Sequence, residues 1–165
     1  VMTIIGIDPG IARVGWGIIR IQDSGFRIQD VGCFETPKQD PLNSRLSSIS
    51  NFLKDLFAKY TPDCVAVEQL YFATNAKTAI VVGQARGVII LTASQANIPT
   101  FDYTPLQVKL AITGYGKADK NQVQQMVKNI LKLKVIPKPD DAADALAIAL
   151  THAFSYKLQK IKKNL

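Results

Sequence analysis

The chain has 165 residues, of which 47% are apolar, so it has the length of one domain and can bury a core without disulfides or metals to hold it together. Its formal net charge of +7 indicates a polyanionic partner such as a nucleic acid. The absence of an 18-residue apolar run and of a secretory leader argues against a membrane or secreted protein, and we expect a cytoplasmic location.

The first half of the chain predicts four strands and one helix. Three apolar runs separated by turns predict an antiparallel meander at residues 3–8, 14–21 and 26–34. Apolar residues at helical spacing predict a helix over 43–60, which Pro62 is expected to end. The apolar run at 64–67 predicts a strand that is buried on both faces. Cys33 and Cys64 lack a zinc-binding spacing and are expected to be reduced core residues.

The second half predicts mainly helices. Segment 76–96 is apolar on nearly all sides, which is typical of a helix in the core or in a protein interface. A fifth short strand is expected at 99–103, and further helices are expected at 105–112, 121–132 and 141–156. Residues 157–165 carry four lysines and are expected to form a disordered basic tail, which leaves residues 1–156 as the folded domain.

This order of elements is typical of an α/β domain with a mixed five-stranded sheet flanked by helices. A right-handed crossover would place strand 64–67 parallel to strand 3–8. Asp8 and Glu68, which follow at the carboxyl ends of these strands, would then lie close together where the strand order reverses. Sites in open α/β sheets are expected at that position.

Four carboxylates form the strongest candidate site, namely Asp8, Glu68, Asp141 and Asp144. The two helical aspartates are three residues apart and share one face. Each acid alone has an ordinary alternative as a turn aspartate or a helix-capping acid. Four converging carboxylates would repel one another unless divalent cations held them, and hard oxygen ligands suit Mg²⁺ or Mn²⁺. Two such ions in a basic protein indicate phosphodiester hydrolysis.

Asp140 competes with Asp141 for a place in this set, because helical geometry alone allows either to converge with Asp144. Asp140 follows Pro139 at the expected helix start, so it is predicted to be the N-cap, with its carboxylate bonded to backbone N–H groups of the first turn. A side chain engaged in this way is a poor metal ligand, and we expect Asp141 to be the ligand.

A lysine-rich segment and an aromatic pair are candidates for DNA contact. Residues 105–138 contain one acid, Asp119, and seven lysines: Lys109, Lys117, Lys120, Lys128, Lys132, Lys134 and Lys138. Such an imbalance is typical of an electrostatic surface for DNA, and a solvated helical face is the alternative. Tyr71 and Phe72 stand in a polar context that predicts an exposed loop, where their rings can stack on unpaired bases; core packing is the alternative.

Three motifs, Gly-Ile-Asp8-Pro-Gly, Val-Glu68-Gln and Asp141-Ala-Ala-Asp144, resemble in order the acidic motifs of the RuvC family of bacterial Holliday-junction resolvases. Segments 83–87 and 103–123 also resemble signatures of this family, so the similarity extends over about residues 3–155. Val14 and Trp16 depart from the family pattern, which commonly has a hydroxyl residue and a tyrosine there, so polar contacts from these two positions are not expected.

The resemblance implies a ribonuclease H-like fold and a homodimeric endonuclease that nicks four-way junctions symmetrically in DNA recombination and repair. It implies a catalytic site with two Mg²⁺ ions, replaceable by Mn²⁺, on Asp8, Glu68, Asp141 and Asp144. Lys109 and Lys120 match basic residues near the scissile DNA, and Tyr71, with Phe72 beside it, matches an aromatic that stacks at the junction. The RuvA–RuvB branch-migration complex is the implied protein partner.

Two other functions fit parts of the sequence. An actin-like or sugar-kinase ATPase lobe shares the Gly-x-Asp-x-Gly turn, although such proteins need two lobes around their nucleotide. A nucleic-acid-binding module without catalysis would explain the lysines but not the acids. The single histidine, His152, is interpreted as structural, with a proton shuttle near the metals as the alternative.

Overall fold

The computed structural model describes residues 1–70 and 76–163, with side chains as far as Leu158. One mixed five-stranded sheet has helices on both faces, as the sequence predicts. The strands are β1 (Met2–Asp8), β2 (Arg13–Gln22), β3 (Gly25–Glu35), β4 (Cys64–Glu68) and β5 (Thr100–Tyr103). The helices are α1 (Leu42–Tyr60), α2 (Ala76–Gln95), α3 (Pro105–Thr113), α4 (Lys120–Ile130) and α5 (Asp140–Lys163).

The sheet has the order β3-β2-β1-β4-β5. The first three strands form the antiparallel meander, and β4 pairs in parallel with both β1 and β5. The crossover through α1 confirms the parallel pairing of β1 and β4, with Ile7 opposite Val67. Asp8 and Glu68 follow those two residues directly, so they end adjacent strands at the same edge of the sheet.

Alternation along the strands decides which face each acid occupies. Ile4 packs on the face covered by α3, α4 and α5, whereas Ile5 and Ile7 pack against α1 and α2. Because side chains alternate along a strand, Asp8 shares the α5 face with Ile4. In β4, Glu68 shares the same face with Cys64 and Ala66 by the same rule. Both carboxylates therefore face the helix that supplies the two remaining acids.

Glycines in β1 and β2 bring α5 unusually close to the sheet. A Cβ atom at Gly6 would lie 2.1 Å from the carbonyl oxygen of Ala145, and one at Gly17 would lie 2.7 Å from a methyl group of Leu146. At Gly15 a Cβ atom would lie 2.1 Å from the carbonyl oxygen of Asp141. Since Gly15 pairs with Asp8 across the strands, this close approach sets the start of α5 beside Asp8.

The last helix corrects one expectation, because α5 continues to Lys163 and the segment expected to be a disordered tail is helical from 157 to 163. A contact with β3 supports the start of the extension: Lys157 Nζ lies 4.3 Å above the ring of Phe26, against which Phe154 of the preceding turn also packs edge-on at 5.3 Å. The other elements end within about two residues of their predicted bounds. Thr61, rather than Pro62, caps α1 in a left-handed conformation with φ of 41°.

Helix α2 is the one helix in the described part of the chain that is long and apolar enough to cross a membrane, judged by length and composition only. Its buried residues, which include Ala85 and Ile89, pack into the core shared with α1. Ile80 and Leu91 are 61% and 57% exposed, so the helix also presents an apolar outer face.

Candidate active site

The four predicted acids converge at the carboxyl end of the sheet. Burial, followed by the charges of Glu68, Asp144 and Asp141 in that order, raises the pKa of Asp8 to about 8, although the charge of Lys120 lowers it. Burial and then the charge of Asp144 raise the pKa of Glu68 to about 7. The cations nearby do not offset this rise in pKa, and the all-oxygen donors of these acids fit a divalent metal.

Arg86 fixes the backbone of Glu68 from behind the sheet. Its Nε donates a hydrogen bond to the carbonyl oxygen of Glu68 at 3.2 Å, and its Nη2 donates to a carboxylate oxygen of Asp102 on β5. Sequence reasoning did not place Arg86 at this site. Its position in an otherwise apolar helix was the available signal, because a guanidinium in such a place requires acceptors.

Lys120 lies within the acidic cluster at the start of α4. Its Nζ is 2.8 Å from a carboxylate oxygen of Asp144 and 4.0 Å from one of Asp140. Burial lowers the pKa of Lys120, but the hydrogen bond with Asp144 and the negative charges nearby outweigh that effect and raise it. Lys120 therefore stays protonated and partly neutralises the cluster.

A cleft of about 190 Å³ joins the acids to the lysine-rich segment. Lys109 and Lys120 line it together with Glu68 and Asp144. Capping boxes start both helices that carry these lysines: Thr104 with Gln107 for α3, and Asp119 with Gln122 for α4. The single acid of the lysine-rich segment, Asp119, is thus used as a helix cap.

Arg13 is a second cation at the cluster, and the sequence did not predict it there. Its Nε lies 3.1 Å from a carboxylate oxygen of Glu35, and its Nη1 lies 3.9 Å from one of Asp141. No local pattern pointed to it, because the contact depends on how α5 packs on β2.

The prediction that Asp140 is an N-cap is wrong. The helix already includes Asp140, and its carboxylate accepts a hydrogen bond from Lys138 Nζ at 2.7 Å rather than from first-turn N–H groups. That hydrogen bond lowers the pKa of Asp140. The side chain is still engaged away from Asp8, whose pKa responds to Asp141 and Asp144.

In the conformers present, no three His, Cys, Asp or Glu side chains among residues 1–70 and 76–163 are grouped closely enough to hold a metal ion. Lys120 and Arg13 instead pair with the two helical aspartates. A metal bound by Asp144 and Asp141 would compete with these two ion pairs.

The remaining candidate residues are the aromatic pair and the single histidine. Tyr71 and Phe72 lie outside the described residues. His152 is buried, its Nδ1 lies 2.8 Å from the hydroxyl oxygen of Tyr103, and its ring packs 4.3 Å from that of Phe101, which favours the structural interpretation.

The two positions that depart from the family pattern are apolar packing residues. Val14 is fully buried, and Trp16 packs against the ring of Phe52 on the α1 side of the sheet, away from the acids. Cys33 and Cys64 are free thiols, as expected, but only Cys64 is a core residue; Cys33 is partly buried.

Comparisons with known proteins point to one family. A family model described as Crossover junction endodeoxyribonuclease RuvC matches residues 4–152. The crossover junction endodeoxyribonuclease RuvC of Halothermothrix orenii is 52% identical over 159 residues, which cover 96% of this chain and 96% of that protein. The structure of Thermus thermophilus RuvC superposes with a TM-score of 0.89 at 37% identity, covering 96% of this chain and 97% of that one. RuvC of the same organism in complex with a Holliday junction substrate gives a TM-score of 0.87 at 35% identity, covering 95% and 96% of the two chains.

Proposed function

The chain belongs to the RuvC family of crossover junction endodeoxyribonucleases, and on that premise we propose that its acidic cluster is the active site at which Holliday junctions are cut. Its activity is that of the family: it is an endonuclease that resolves Holliday junctions by metal-dependent nicking of two strands in DNA recombination and repair. One observation carries the assignment to this site. Asp8 lies in the field of three other carboxylates, directly beside a cleft lined by Lys109 and Lys120.

Asp8, Glu68, Asp141 and Asp144 are the proposed catalytic residues and metal ligands. Two Mg²⁺ ions, replaceable by Mn²⁺, are the proposed cofactor, because the donors are all hard oxygen atoms. When bound, the metal supplies the Lewis acidity that activates water and stabilises the leaving oxygen of a phosphodiester. The chain's own part is to hold these oxygens in place: Gly15 sets Asp141 beside Asp8, and Arg86 fixes the Glu68 backbone.

Lys109 and Lys120 are proposed to place the scissile strand. They line the same cleft as two of the acids, so a phosphate bound by both lysines would lie in the cleft that Glu68 and Asp144 also line. Tyr71 and Phe72 come three and four residues after Glu68 in the sequence. We assign them a stacking role on unpaired junction bases.

The proposed assembly is a homodimer, since two symmetrical nicks require two sites in one complex. The apolar outer face of α2, with Ile80 and Leu91 exposed, is the proposed two-fold interface. The RuvA–RuvB branch-migration complex is the proposed further partner on family grounds. A DNA substrate places the protein inside the cell, and we assign it to the bacterial cytoplasm.

The test is incubation with an end-labelled four-way junction in Mg²⁺, with EDTA and a linear duplex of the same sequence as controls. Paired nicks in opposing strands are expected only for the junction and only with metal. Asp55 is exposed on α1, so Asp55→Asn is the matched charge control for variants of the cluster. Binding of the junction without metal-dependent cutting would support a non-catalytic module, and tight ATP binding without cutting would support the ATPase lobe.

A further inference from the structure

We propose that Arg13 positions a phosphate of the scissile strand on the Asp141 side of the cluster, and that metal binding releases it for this task. The inference rests on the function proposed above. It adds a residue to the DNA-binding surface that lies on β2, outside the lysine-rich segment.

The location of Arg13 follows from strand alternation. Arg13, Gly15 and Gly17 are two residues apart in β2, so they share the face against which α5 packs. Because Asp141 sits directly over Gly15, the side chain of Arg13 emerges beside the first turn of α5. Its own side chain is 54% exposed, which leaves the guanidinium accessible to a large ligand.

The contacts of Arg13 are of two kinds. The Nε–Glu35 distance of 3.1 Å is that of a close ion pair, whereas the Nη1–Asp141 distance of 3.9 Å is too long for a hydrogen bond. The second contact is therefore held by charge alone, and it weakens as soon as another cation neutralises Asp141. Lys120 and Asp144 form the corresponding contact on the other side of the cluster at 2.8 Å.

Metal binding then changes what Arg13 can contact. An Asp141 carboxylate bound to a divalent cation no longer attracts the guanidinium, while an arriving phosphodiester does. Arginine suits this acceptor, since its planar fork of N–H donors matches two phosphate oxygens. The cationic surface would thus run from Lys109 through Lys120, past the acids, to Arg13.

The test measures junction affinity as a function of salt with Arg13→Gln, in Ca²⁺ and separately in EDTA, with a gel showing that the DNA stays intact. In Ca²⁺, removal of one phosphate-binding cation should lower the log–log salt slope by about 0.9 and weaken binding by roughly eightfold near 0.1 M salt. In EDTA, where Asp141 retains the guanidinium, the two proteins should differ less. Equal slopes for both proteins in Ca²⁺ would overturn the proposal.

Three further variants separate phosphate binding from a structural role. Arg13→Lys should restore most of the slope, and Glu35→Gln, which breaks the ion pair but leaves the guanidinium, should keep it. Arg27→Gln removes an exposed arginine from the far end of the β2–β3 pair and should leave the slope unchanged. If Glu35→Gln lowers the slope as Arg13→Gln does, the ion pair is structural and the proposal fails. Failure of the wild-type protein to cut junctions would instead count against the proposed function itself.

Discussion

At the scale of single residues, Asp8 is the acid whose pKa is raised both by burial and by three other carboxylates. We predict that Asp8→Asn lowers cleavage by more than about 100-fold, beyond the 10–100-fold typical of residues that only support metal ligands. Junction binding should be retained or improved, since one charge that repels phosphate is removed. Single-turnover cleavage and a gel-shift titration measure the two effects, and a binding defect in folded protein would argue against a ligand role.

The same residue predicts how the metal-free protein responds to pH. The pKa of Asp8 is raised to about 8 from an ordinary value of 3.8, so the folded state favours the protonated form. Stability from this group is fully present below pH 4 and is lost as the pH rises to about 8. In EDTA, Asp8→Asn should therefore melt at least about 2 °C above wild type at pH 8 and with a smaller difference at pH 5. A difference that does not grow with pH would contradict this assignment.

Asp140, Asp141 and Asp144 should differ in their effect on cleavage. Asp140 is bonded to Lys138, so Asp140→Asn should leave cleavage in Mg²⁺ within about threefold of wild type. Asp141→Asn and Asp144→Asn should each lower it by more than about 100-fold, as expected for ligands. Cleavage rates at saturating Mg²⁺ decide the matter; an inactive Asp140→Asn with an active Asp141→Asn would reverse the assignment.

Lys109 and Lys120 should act on DNA binding through charge. Replacing both with alanine should lower the log–log salt slope of junction binding by about 1.8, or about 0.9 for each phosphate that the protein no longer binds. Lys54→Ala, on the exposed side of α1, is the control that should not alter the slope. An unchanged slope in the double variant would place both lysines off the path of the DNA.

At the scale of elements, the packing of α5 on β1 and β2 determines the geometry of the site. A Cβ atom at Gly15 would meet the backbone of Asp141, so Gly15→Ala forces α5 away from the sheet. We predict a loss of about 1–3 kcal/mol in the free energy of unfolding. Cleavage should fall by roughly 100-fold, since a displacement of about 1 Å in a catalytic group has an effect of that size. Gly87→Ala, where a Cβ atom would meet nothing within 4 Å, is the control and should not destabilise the protein.

The sequence predicted the elements well because most of their signals are local. Apolar alternation and turn residues located β1 to β3, and the crossover rule placed Asp8 beside Glu68. Arg13 and Arg86 were not predicted as neighbours of the site, because their partners come from distant elements that only tertiary packing brings together. The helical extension past residue 156 was missed for the same reason, since its support comes from Phe26 on β3.

At the scale of the whole molecule, α2 exposes the apolar side chains of Ile80 and Leu91 on its outer face. We predict that the double variant Ile80→Glu and Leu91→Glu weakens dimerisation by at least about 100-fold, because burying unpaired carboxylates in an interface costs several kcal/mol. Sedimentation measures the dimer, and circular dichroism shows that the fold persists. Val135→Glu, at an apolar residue that is 73% exposed elsewhere, should remain dimeric. A wild-type monomer at micromolar concentration would contradict the interface.

The order of the acids along the chain has a consequence for synthesis in the cell. Asp8 and Glu68 emerge early from the ribosome, whereas Asp141 and Asp144 lie on α5, which also supplies much of the core on its face of the sheet. Translation at roughly 5–20 residues per second delivers α5 several seconds after β4. A nascent or truncated chain therefore has neither a complete carboxylate set nor the helix that closes the fold. On the proposed assignment of the active site, a chain that ends before α5 is expected to be unable to nick DNA.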